Sequence, residues 1–357
     1  MTQRFVLALA SLGLVACDGC GPVEHASAPV ADPVAPGAGA ETSPEPVAYE
    51  VHEWGLVRGT SRDQVMLSGP HQDEIPVPLA KPVLYFHRSG DGPLTVRVDV
   101  TIPDGRVVEH WPLAELTEEG ARLRWPAVAV TTTTCSGARY PAPSEPPCDA
   151  IHAPDACEAA TLATVETREG ACLEHGGARF DHLFYRAELR GAPALPLTIV
   201  REGTALRVTH AGGDAIAGSL VRVRRGAGRV TVAAPPAPGG AVVLAAPEAA
   251  ASAGAEALGA SLSAAGLTPA EVMAFRRAWD RALFGGELAA AGEPGPVAAA
   301  TPMGGFALPP SDDALLYVLP AASADALAGL SFTPAPRGVR RAIVAWIDVE
   351  ANAPARP

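Results

Sequence analysis

The sequence predicts an α+β domain that is mainly antiparallel β, either a sandwich or a half-open barrel, with a C-terminal helical hairpin and a final buried strand. Two observations lead to this fold class. Short segments from residue 49 onwards alternate apolar and polar residues with a period of two, and turn residues separate them. After residue 240 the pattern changes to an alanine-rich segment and a capped amphipathic helix, which predicts helices packed on the β-rich part.

The clearest strand pattern covers residues 94–102, where aliphatic and polar residues alternate without interruption. Residues 103–106, with the sequence P-D-G-R, form a turn signal, and Val107 and Val108 after them predict a hairpin. A second hairpin is predicted over residues 221–232, around a Gly-Ala-Gly turn. Many short strands with turn signals favour stacked antiparallel sheets.

The helical hairpin is predicted from residues 248–265, which are rich in alanine, and from the capped segment that follows. Gly266 is placed to end the first helix. Thr268, Pro269 and Glu271 form a capping box with proline at the first helical position, which begins the second helix. Trp279 lies on its apolar stripe and is expected in the core.

The last part of the chain returns to strand patterns. Residues 286–312 are predicted to form a loop rich in glycine and proline, followed by a strand at 315–319 and a short helix at 322–330. Residues 339–349 are apolar on both faces, which is typical of a strand in the middle of a covered sheet.

The N-terminus predicts a bacterial lipoprotein signal over residues 1–16. Arg4 precedes an apolar run at 5–16 that is too short to span a bilayer. Residues 14–17, L-V-A-C, match a lipobox, so Cys17 is the predicted lipidation site. The alternative is an ordinary secretory signal cleaved after the alanine-rich site. We expect a membrane-anchored lipoprotein of the cell envelope, in the inner or the outer membrane.

The remaining chain divides by composition. Residues 17–48 begin with the lipidated cysteine and contain prolines, acidic residues and no lysine or arginine, which predicts a disordered tether. Residues 49–350 are expected to form one folded domain with a cysteine-containing insertion at 131–177. Residues 351–357 are a tail.

Charge and missing motifs exclude several classes of function. The formal net charge of the 357-residue chain is −12, which argues against binding to nucleic acid. The sequence has no P-loop, no G-x-G-x-x-G and no G-x-S-x-G segment, which argues against common nucleotide sites and α/β-hydrolase chemistry. No cofactor is predicted. Lys81 is the only lysine.

Four clustered cysteines, Cys135, Cys148, Cys157 and Cys172, predict two disulfides in an exported domain. Three pairings are possible, and spacing alone does not choose among them. Nearest-neighbour pairing, Cys135 with Cys148 and Cys157 with Cys172, would close loops of roughly 14 to 16 residues. A four-thiolate zinc site is the alternative, although its usual C-x₂₋₄-C spacing is absent.

The segment His52-Glu53-Trp54-Gly55 resembles the H-E-W-G opening of a family of exported bacterial proteins of uncharacterised activity. Further short blocks follow in the same order: K-P-V-L-Y-F at 81–86, E-H-W-P at 109–112, L-F-Y-R at 183–186 and L-L-Y-V-L-P at 315–320. The resemblance spans about residues 49–350. It implies export and one continuous domain, and it implies no reaction.

Two dyads in these blocks could carry chemistry. His52 and Glu53 do not form a zincin motif, because position 56 is leucine. A looser metal site from His52, Glu53, Glu109 and His110 is possible if the sheet brings the dyads together. The alternative, which we favour, is structural: Glu53 bonds a buried arginine or backbone, and the neighbouring tryptophans fill the core.

Two further groups have the same two interpretations. Asp181 and His182 beside Arg186 could form an acid/base pair, but alternation in a strand would place the first two on opposite faces. A structural ion pair for Arg186 is the favoured reading. Arg222 and Arg224 share a strand face and could bind an anionic glycan or lipid headgroup, unless that face is simply solvated.

The function predicted from sequence is a lipid-anchored envelope protein that acts as a non-catalytic binding or structural module. Its expected partners are the membrane, through the anchor, and an envelope protein or glycan. The alternative is a metal-dependent hydrolase that uses the His52/Glu53 and Glu109/His110 dyads, and convergence of these four side chains would favour it.

Overall fold

A nine-stranded sheet forms the middle of the fold in the computed structural model of the protein. The structure describes residues 48–61, 77–148, 157–190, 194–285 and 311–349, which lie in one unit spanning Pro46–Pro357. The predicted signal, lipidation site and tail, nearly all of the tether and most of the 286–312 loop lie outside these residues. None of the helices in the described part of the chain combines the length and the hydrophobicity that a membrane span requires.

The described residues contain strands, α-helices and short 3₁₀ helices. In chain order the strands are β1 (Ala48–Thr60), β2 (Val77–Ser89), β3 (Thr95–Thr101), β4 (Gly105–Trp111), β5 (Glu115–Thr117), β6 (Arg122–Val130), β7 (Leu173–His175), β8 (Ala178–Phe180), β9 (Leu183–Leu189), β10 (Leu197–Glu202), β11 (Ala205–His210), β12 (Leu220–Arg224), β13 (Arg229–Ala233), β14 (Ala241–Leu244), β15 (Ala249–Ala250), β16 (Asp313–Val318), β17 (Gly329–Thr333) and β18 (Gly338–Asp348). The helices are α1 (Ala251–Ala264), α2 (Pro269–Phe284) and α3 (Ala321–Leu327), with 3₁₀ helices at Glu118–Gly120 and Ala159–Val165.

These strands form three sheets. The central sheet has the order β15-β13-β12-β16-β18-β1-β2-β9-β4. A second sheet has the order β17-β3-β6-β7-β8, with β5 added beside β6, and a third has the order β10-β11-β14. Within the described strands only β1 and β18 pair in parallel, and the other pairs are antiparallel. The predicted α+β class with mainly antiparallel sheets is confirmed.

The central sheet is covered on both faces. One hydrophobic cluster joins it to the two smaller sheets, with Val51 and Phe86 on the central side and Val98 and Trp125 opposite. A second cluster joins its other face to α1 and α2. Of the two architectures that the sequence left open, the described strands match the sandwich, with a helical layer added, because one hydrophobic cluster lies between the central sheet and the two smaller sheets.

The turn after β3 does not make the predicted hairpin. β3 pairs with β6 and β17 in the second sheet, whereas β4 pairs with β9 in the central sheet. The P-D-G-R turn therefore carries the chain from one layer of the sandwich to the other. A turn signal shows that the chain reverses direction. It does not show whether the next strand pairs with the preceding one or joins another sheet. The second predicted hairpin, between β12 and β13, is confirmed.

The helical hairpin is confirmed, with α1 and α2 close to the predicted bounds. Gly266 follows α1 with a positive φ of 99°, and Thr268 caps α2 with both hydrogen bonds of the capping box. Trp279 is buried against the central sheet. α3 is shorter than predicted, since Leu330 belongs to β17.

The predicted final buried strand is also confirmed. β18 lies between β16 and β1 in the middle of the nine-stranded sheet, and its residues from Ala342 to Asp348 are buried. A strand with covered faces on both sides has no polar face to present to solvent. This position explains why the sequence of β18 is apolar at consecutive residues.

The four clustered cysteines form two disulfides, as predicted. The bonds are Cys135–Cys172 and Cys148–Cys157, so the nearest-neighbour pairing is wrong. Thr131 donates its backbone N–H to the carbonyl of Cys172, and Cys172 donates to Thr133, so the backbone already brings the ends of the insertion together. The shorter disulfide is nested within the longer one.

Candidate functional site

His52 and Glu53 are neighbours on β1 and therefore point to opposite faces of the central sheet. Glu53 is fully buried, with its Oε2 atom 2.6 Å from Arg341 Nε and its Oε1 atom 2.7 Å from the Tyr185 hydroxyl. Trp54 packs edge-on against Phe275 on the helical side. The structural interpretation of this motif, in which Glu53 bonds a buried arginine and Trp54 fills the core, is what the structure shows.

Glu109 on β4 is also held by structural contacts. Its Oε1 atom accepts a 2.6 Å hydrogen bond from the Ala159 N–H, and its Oε2 atom lies 3.1 Å from Arg186 Nε. The predicted structural ion pair of Arg186 is thus present, with Glu109 as its partner. Burial lowers the pKa of the neighbouring His110. Trp111, expected in the core, is only partly buried.

The two dyads do not assemble the predicted metal site. Among the described residues, His52 and Glu109 belong to two separate groups of potential ligands, and neither Glu53 nor His110 belongs to either. The group around Glu109 contains Cys148 and Cys157, whose sulfurs are joined in a disulfide and so offer no thiolate to a metal. The hydrolase alternative, as predicted from these four residues, is not supported.

The other group joins His52 to two residues that the sequence did not single out as ligands. His52 Nδ1 lies 2.9 Å from Glu271 Oε2, and His87 Nε2 lies 2.7 Å from Glu271 Oε1. The two imidazole rings are 4.2 Å apart between centroids. Two imidazoles that converge on one buried carboxylate form a compact polar site, which we call the His–His–Glu site.

Strand register and a helix cap create the His–His–Glu site. β1 and β2 are antiparallel, with Glu50 opposite His87 and His52 opposite Tyr85, so the two histidines lie two positions apart on the same face. Glu271 is the third residue of α2, and its carboxylate also accepts a 2.7 Å hydrogen bond from the Thr268 N–H in the capping box. The start of α2 is thereby docked on these two strands, near the beginning of β1 and the end of β2.

The carboxylate at the centre of the site is charged. Burial opposes the ionisation of Glu271, but the hydrogen bonds from His52 and His87 outweigh it and lower the pKa of this carboxyl to about 2. The N-terminus of α2 also favours a negative charge at this position. The site therefore holds a fixed negative charge between two imidazoles.

A second polar cluster surrounds the Cys148–Cys157 disulfide. Cys157 Sγ lies 3.2 Å from Glu109 Oε1. Burial, reinforced by the nearby Glu158, raises the pKa of Glu109 to about 7, although Arg186 counteracts this. Lys81 is buried with its ammonium 2.7 Å from Thr161 Oγ1, and burial lowers its pKa. The only lysine of the chain thus belongs to a buried cluster of charges that includes Glu109 and Glu158.

Asp181 and His182 precede β9 rather than lying within a strand, so strand alternation does not separate them as predicted. Both are fully buried, and His182 Nδ1 lies 3.9 Å from Asp181 Oδ2. The Asp181 carboxylate accepts a 2.8 Å hydrogen bond from the Thr167 N–H. The His182 ring contacts the rings of Tyr85 and Tyr140, with centroid distances of 5.3 and 5.4 Å. Full burial makes this pair part of the core.

The predicted anion-binding face is not available at Arg222. This side chain is fully buried, and its Nε and Nη2 atoms bond both carboxylate oxygens of Asp313 at 2.9 and 2.7 Å. Its third nitrogen donates to the Thr204 and Ala245 carbonyls. Arg224 lies on the same strand and is partly buried. One arginine without the other does not make the predicted two-arginine site.

Two residues of the His–His–Glu site, His87 and Glu271, are absent from the predicted ligand set. Glu271 was identified only as a helix cap, because the T-P-x-E pattern explains it locally. His87 directly follows the K-P-V-L-Y-F block. Finding the trio would have required the register of β1 against β2 and the docking of α2, neither of which leaves a local signal in the sequence.

No protein-family model matches the chain, and no curated protein matches it in sequence. Among solved structures, the chain is similar to "Fcho1 Mu homology domain (Danio Rerio) with bound Eps15 peptide". The similarity covers 86% of this chain and 97% of that one, with 10% sequence identity and a TM-score of 0.32. A likeness this weak supports no argument about fold or function.

Proposed function

We propose that this protein is an exported lipoprotein of the cell envelope, whose folded domain acts as a non-catalytic binding or structural module. The support for the anchor comes from the sequence: the L-V-A-C segment before Cys17 and the proline-rich acidic segment after it. Acyl chains on Cys17 would hold the protein at the membrane, and the tether would keep the domain away from the headgroups. Two disulfides agree with an oxidising compartment.

One observation carries the non-catalytic part of the proposal. The buried carboxylates of the two motif dyads, Glu53 and Glu109, are each engaged by an arginine, Arg341 and Arg186. A general base must reach a substrate proton within hydrogen-bond distance, and these carboxylates are instead bonded inside the protein. The carboxylates of the two dyads, which the sequence made candidates for catalysis, therefore have a structural role. The partner that fits this proposal is a protein or glycan of the envelope.

The anchor is tested by expressing the full chain in a bacterium that processes lipoproteins, in the presence of an alkyne-labelled fatty acid. We compare the wild type with Cys17→Ala and, as the matched control, with Cys20→Ala, which changes the other cysteine of the predicted tether. The wild type and Cys20→Ala should carry the label and sediment with membranes, whereas Cys17→Ala should lack the label. A wild type without label, or a labelled Cys17→Ala protein, would refute the anchor.

The non-catalytic assignment is tested on the same purified wild-type protein with panels of ester, phosphoester, peptide and glycoside substrates. No turnover above that of a heat-denatured sample is expected. Turnover that disappears in Glu53→Gln or Glu109→Gln, while the variant remains folded by circular dichroism, would contradict the proposal.

A further inference from the structure

We propose that His52, His87 and Glu271 bind a divalent transition-metal ion of the zinc class. The ligand atoms would be His52 Nδ1, His87 Nε2 and the carboxylate of Glu271. This proposal does not depend on the lipid anchor, because all three residues belong to the folded domain. It gives the folded domain a bound metal ion, which the proposed function does not specify.

The first support is geometric. The three candidate ligand atoms lie within 4.8 Å of one another. Zinc binds imidazole nitrogen and carboxylate oxygen at about 2.0–2.2 Å, which places neighbouring tetrahedral ligands about 3.3 Å apart. Glu271 Oε1 lies 3.1 Å from His52 Nδ1 and 2.7 Å from His87 Nε2, so these two distances would need to open by only about 0.2 to 0.6 Å.

The second support is the arrangement around the ligands. Metal-bound histidines usually direct their other ring nitrogen at a carboxylate or carbonyl, which sets the tautomer. His52 Nε2 lies 3.8 Å from Glu50 Oε2, on the side of the ring opposite Glu271. The Glu271 carboxylate is held in turn by the Thr268 N–H at 2.7 Å. Of the three ligands, Glu271 therefore already has a second hydrogen-bond partner, whereas Glu50 lies within ion-pair distance of His52 but beyond hydrogen-bond distance.

The three ligand side chains differ in their exposure to solvent. The Glu271 side chain is 0% exposed, that of His52 is 9% exposed, and that of His87 is 24% exposed. An ion could enter past His87 and meet a buried carboxylate behind it. Three protein ligands leave a fourth position for water or an external ligand, as in zinc sites that are not purely structural.

The donor set also selects the class of ion. Two imidazoles and one carboxylate suit zinc, copper, nickel or iron, whereas calcium and magnesium prefer oxygen donors alone. One carboxylate and two neutral imidazoles supply a single negative charge, so a dication would be only partly neutralised. The nearby Glu50 carboxylate adds a second negative charge. Calcium is therefore a discriminating control ion.

A competing explanation is that the trio only fastens α2 to the sheet through hydrogen bonds. The two explanations differ in their response to glutamine. A glutamine side chain can still donate an N–H to Glu271, but it is a far weaker metal ligand than imidazole. His52→Gln and His87→Gln therefore remove metal affinity while leaving a donor in place. His175→Gln is the matched control, because the His175 ring bonds the Ala127 carbonyl outside the site.

The test uses the full-length protein in detergent, without a histidine tag and stripped of metal by a chelator. Zinc sulfate is titrated by calorimetry, and cobalt chloride is titrated by visible absorption, because the Co²⁺ bands report its ligands. We expect one zinc ion per chain in the wild type and in His175→Gln, with no binding of calcium. Loss of a partner outside the ligand set typically weakens metal affinity about 10- to 100-fold, so His52→Gln and His87→Gln should lose at least that much.

The proposal is overturned if the stripped wild type takes up no stoichiometric zinc, or if both glutamine variants bind zinc as tightly as His175→Gln. A measurement on the unmodified protein guards against variants that misfold. Pulsed electron paramagnetic resonance of the copper-loaded wild type should detect nitrogen from two imidazoles, and a signal without imidazole nitrogen would also overturn it. Cys17→Ala should bind zinc normally, which separates this result from a failure of the lipid anchor.

Discussion

Glu53 of β1 and Arg341 of β18 form a buried ion pair across two parallel strands, with Arg341 Nε 2.6 Å from Glu53 Oε2. Arg341 also bonds Asp325 of α3 and the Ala328 carbonyl at the end of that helix. The pair therefore links the first described strand to the last strand and to the helix before it. Because 288 residues separate the partners, it closes the domain over nearly its full length.

Removing the arginine of this pair should strongly destabilise the protein. Arg341→Met leaves the Glu53 carboxylate buried, with the Tyr185 hydroxyl as its one remaining hydrogen-bond partner among the described residues. Breaking a buried ion pair in this way typically costs about 3–5 kcal/mol of unfolding free energy, which denaturant titration can measure. Arg340→Met is the matched control at an exposed neighbour and should stay within about 0.5 kcal/mol of the wild type. Equal effects of the two substitutions would show that the pair is not important for stability.

Glu109 should make stability decrease as the pH rises. The pKa of Glu109 is about 7 in the folded protein, whereas the ordinary value of 4.5 applies to the unfolded chain. At a pH between these two values the folded state therefore binds more protons than the unfolded state. Stability is then lost from about pH 4.5 upwards, by at most about 3.4 kcal/mol once the pH is well above 7. Glu109→Gln should remove most of this loss in denaturant titrations between pH 5 and pH 8.

The control for this prediction is Glu188→Gln, which alters an exposed ion pair with Arg106 on the neighbouring strands. It should retain the pH dependence of the wild type. If Glu109→Gln and Glu188→Gln show the same profile as the wild type, the carboxyl of Glu109 does not titrate in this range.

The disulfide pairing can be checked by tryptic digestion without reduction. Cleavage after Arg124, Arg139, Arg168 and Arg179 places Cys135 and Cys172 in separate peptides, with Cys148 and Cys157 together in a third. The structure predicts a two-peptide species and one internally bonded peptide. Either of the other two pairings would join all three peptides, which mass spectrometry distinguishes directly.

The two disulfides should also differ in their contribution to stability. They enclose 37 and 9 residues by sequence separation. In the chain-entropy model, removing the longer link costs about 4 kcal/mol and removing the shorter one costs about 2.5 kcal/mol. Cys135→Ala/Cys172→Ala should therefore unfold at lower denaturant concentration than Cys148→Ala/Cys157→Ala. The reverse order would mean that native packing around the shorter bond outweighs the loop entropy.

Two glycines of α1 should respond oppositely to alanine. A Cβ atom at Gly254 would lie 2.8 Å from Val230 Cγ1 and 2.9 Å from Phe284 Cε1, so Gly254→Ala should cost about 1–3 kcal/mol of unfolding free energy by overpacking. A Cβ atom at Gly259 would lie 3.5 Å from Val272 Cγ1, which is an ordinary contact. Gly259→Ala should therefore gain about 0.5–1 kcal/mol from helix propensity. Thermal denaturation of both variants tests the close packing of α1, and a destabilised Gly259→Ala would contradict it.

Features that depend on a few adjacent residues were predictable from the sequence. The alternation at residues 94–102 became β3, and the Thr268 capping box began α2 at the predicted residue. Consecutive apolar residues placed β18 inside a covered sheet. In each case the physical cause, whether the strand period, the unpaired N–H groups of a helix end or burial on two faces, acts within the segment itself.

Features that depend on distant partners were decided only by the tertiary structure. The turn before β4 led into a different sheet, the cysteines paired across the insertion, and Arg222 found Asp313 and became buried. His52 met His87 and Glu271 rather than Glu109 or His110. Local patterns state which face of a segment is apolar, but many pairings can bury the same faces. The choice among them is made by the packing of the whole domain, which no single segment encodes.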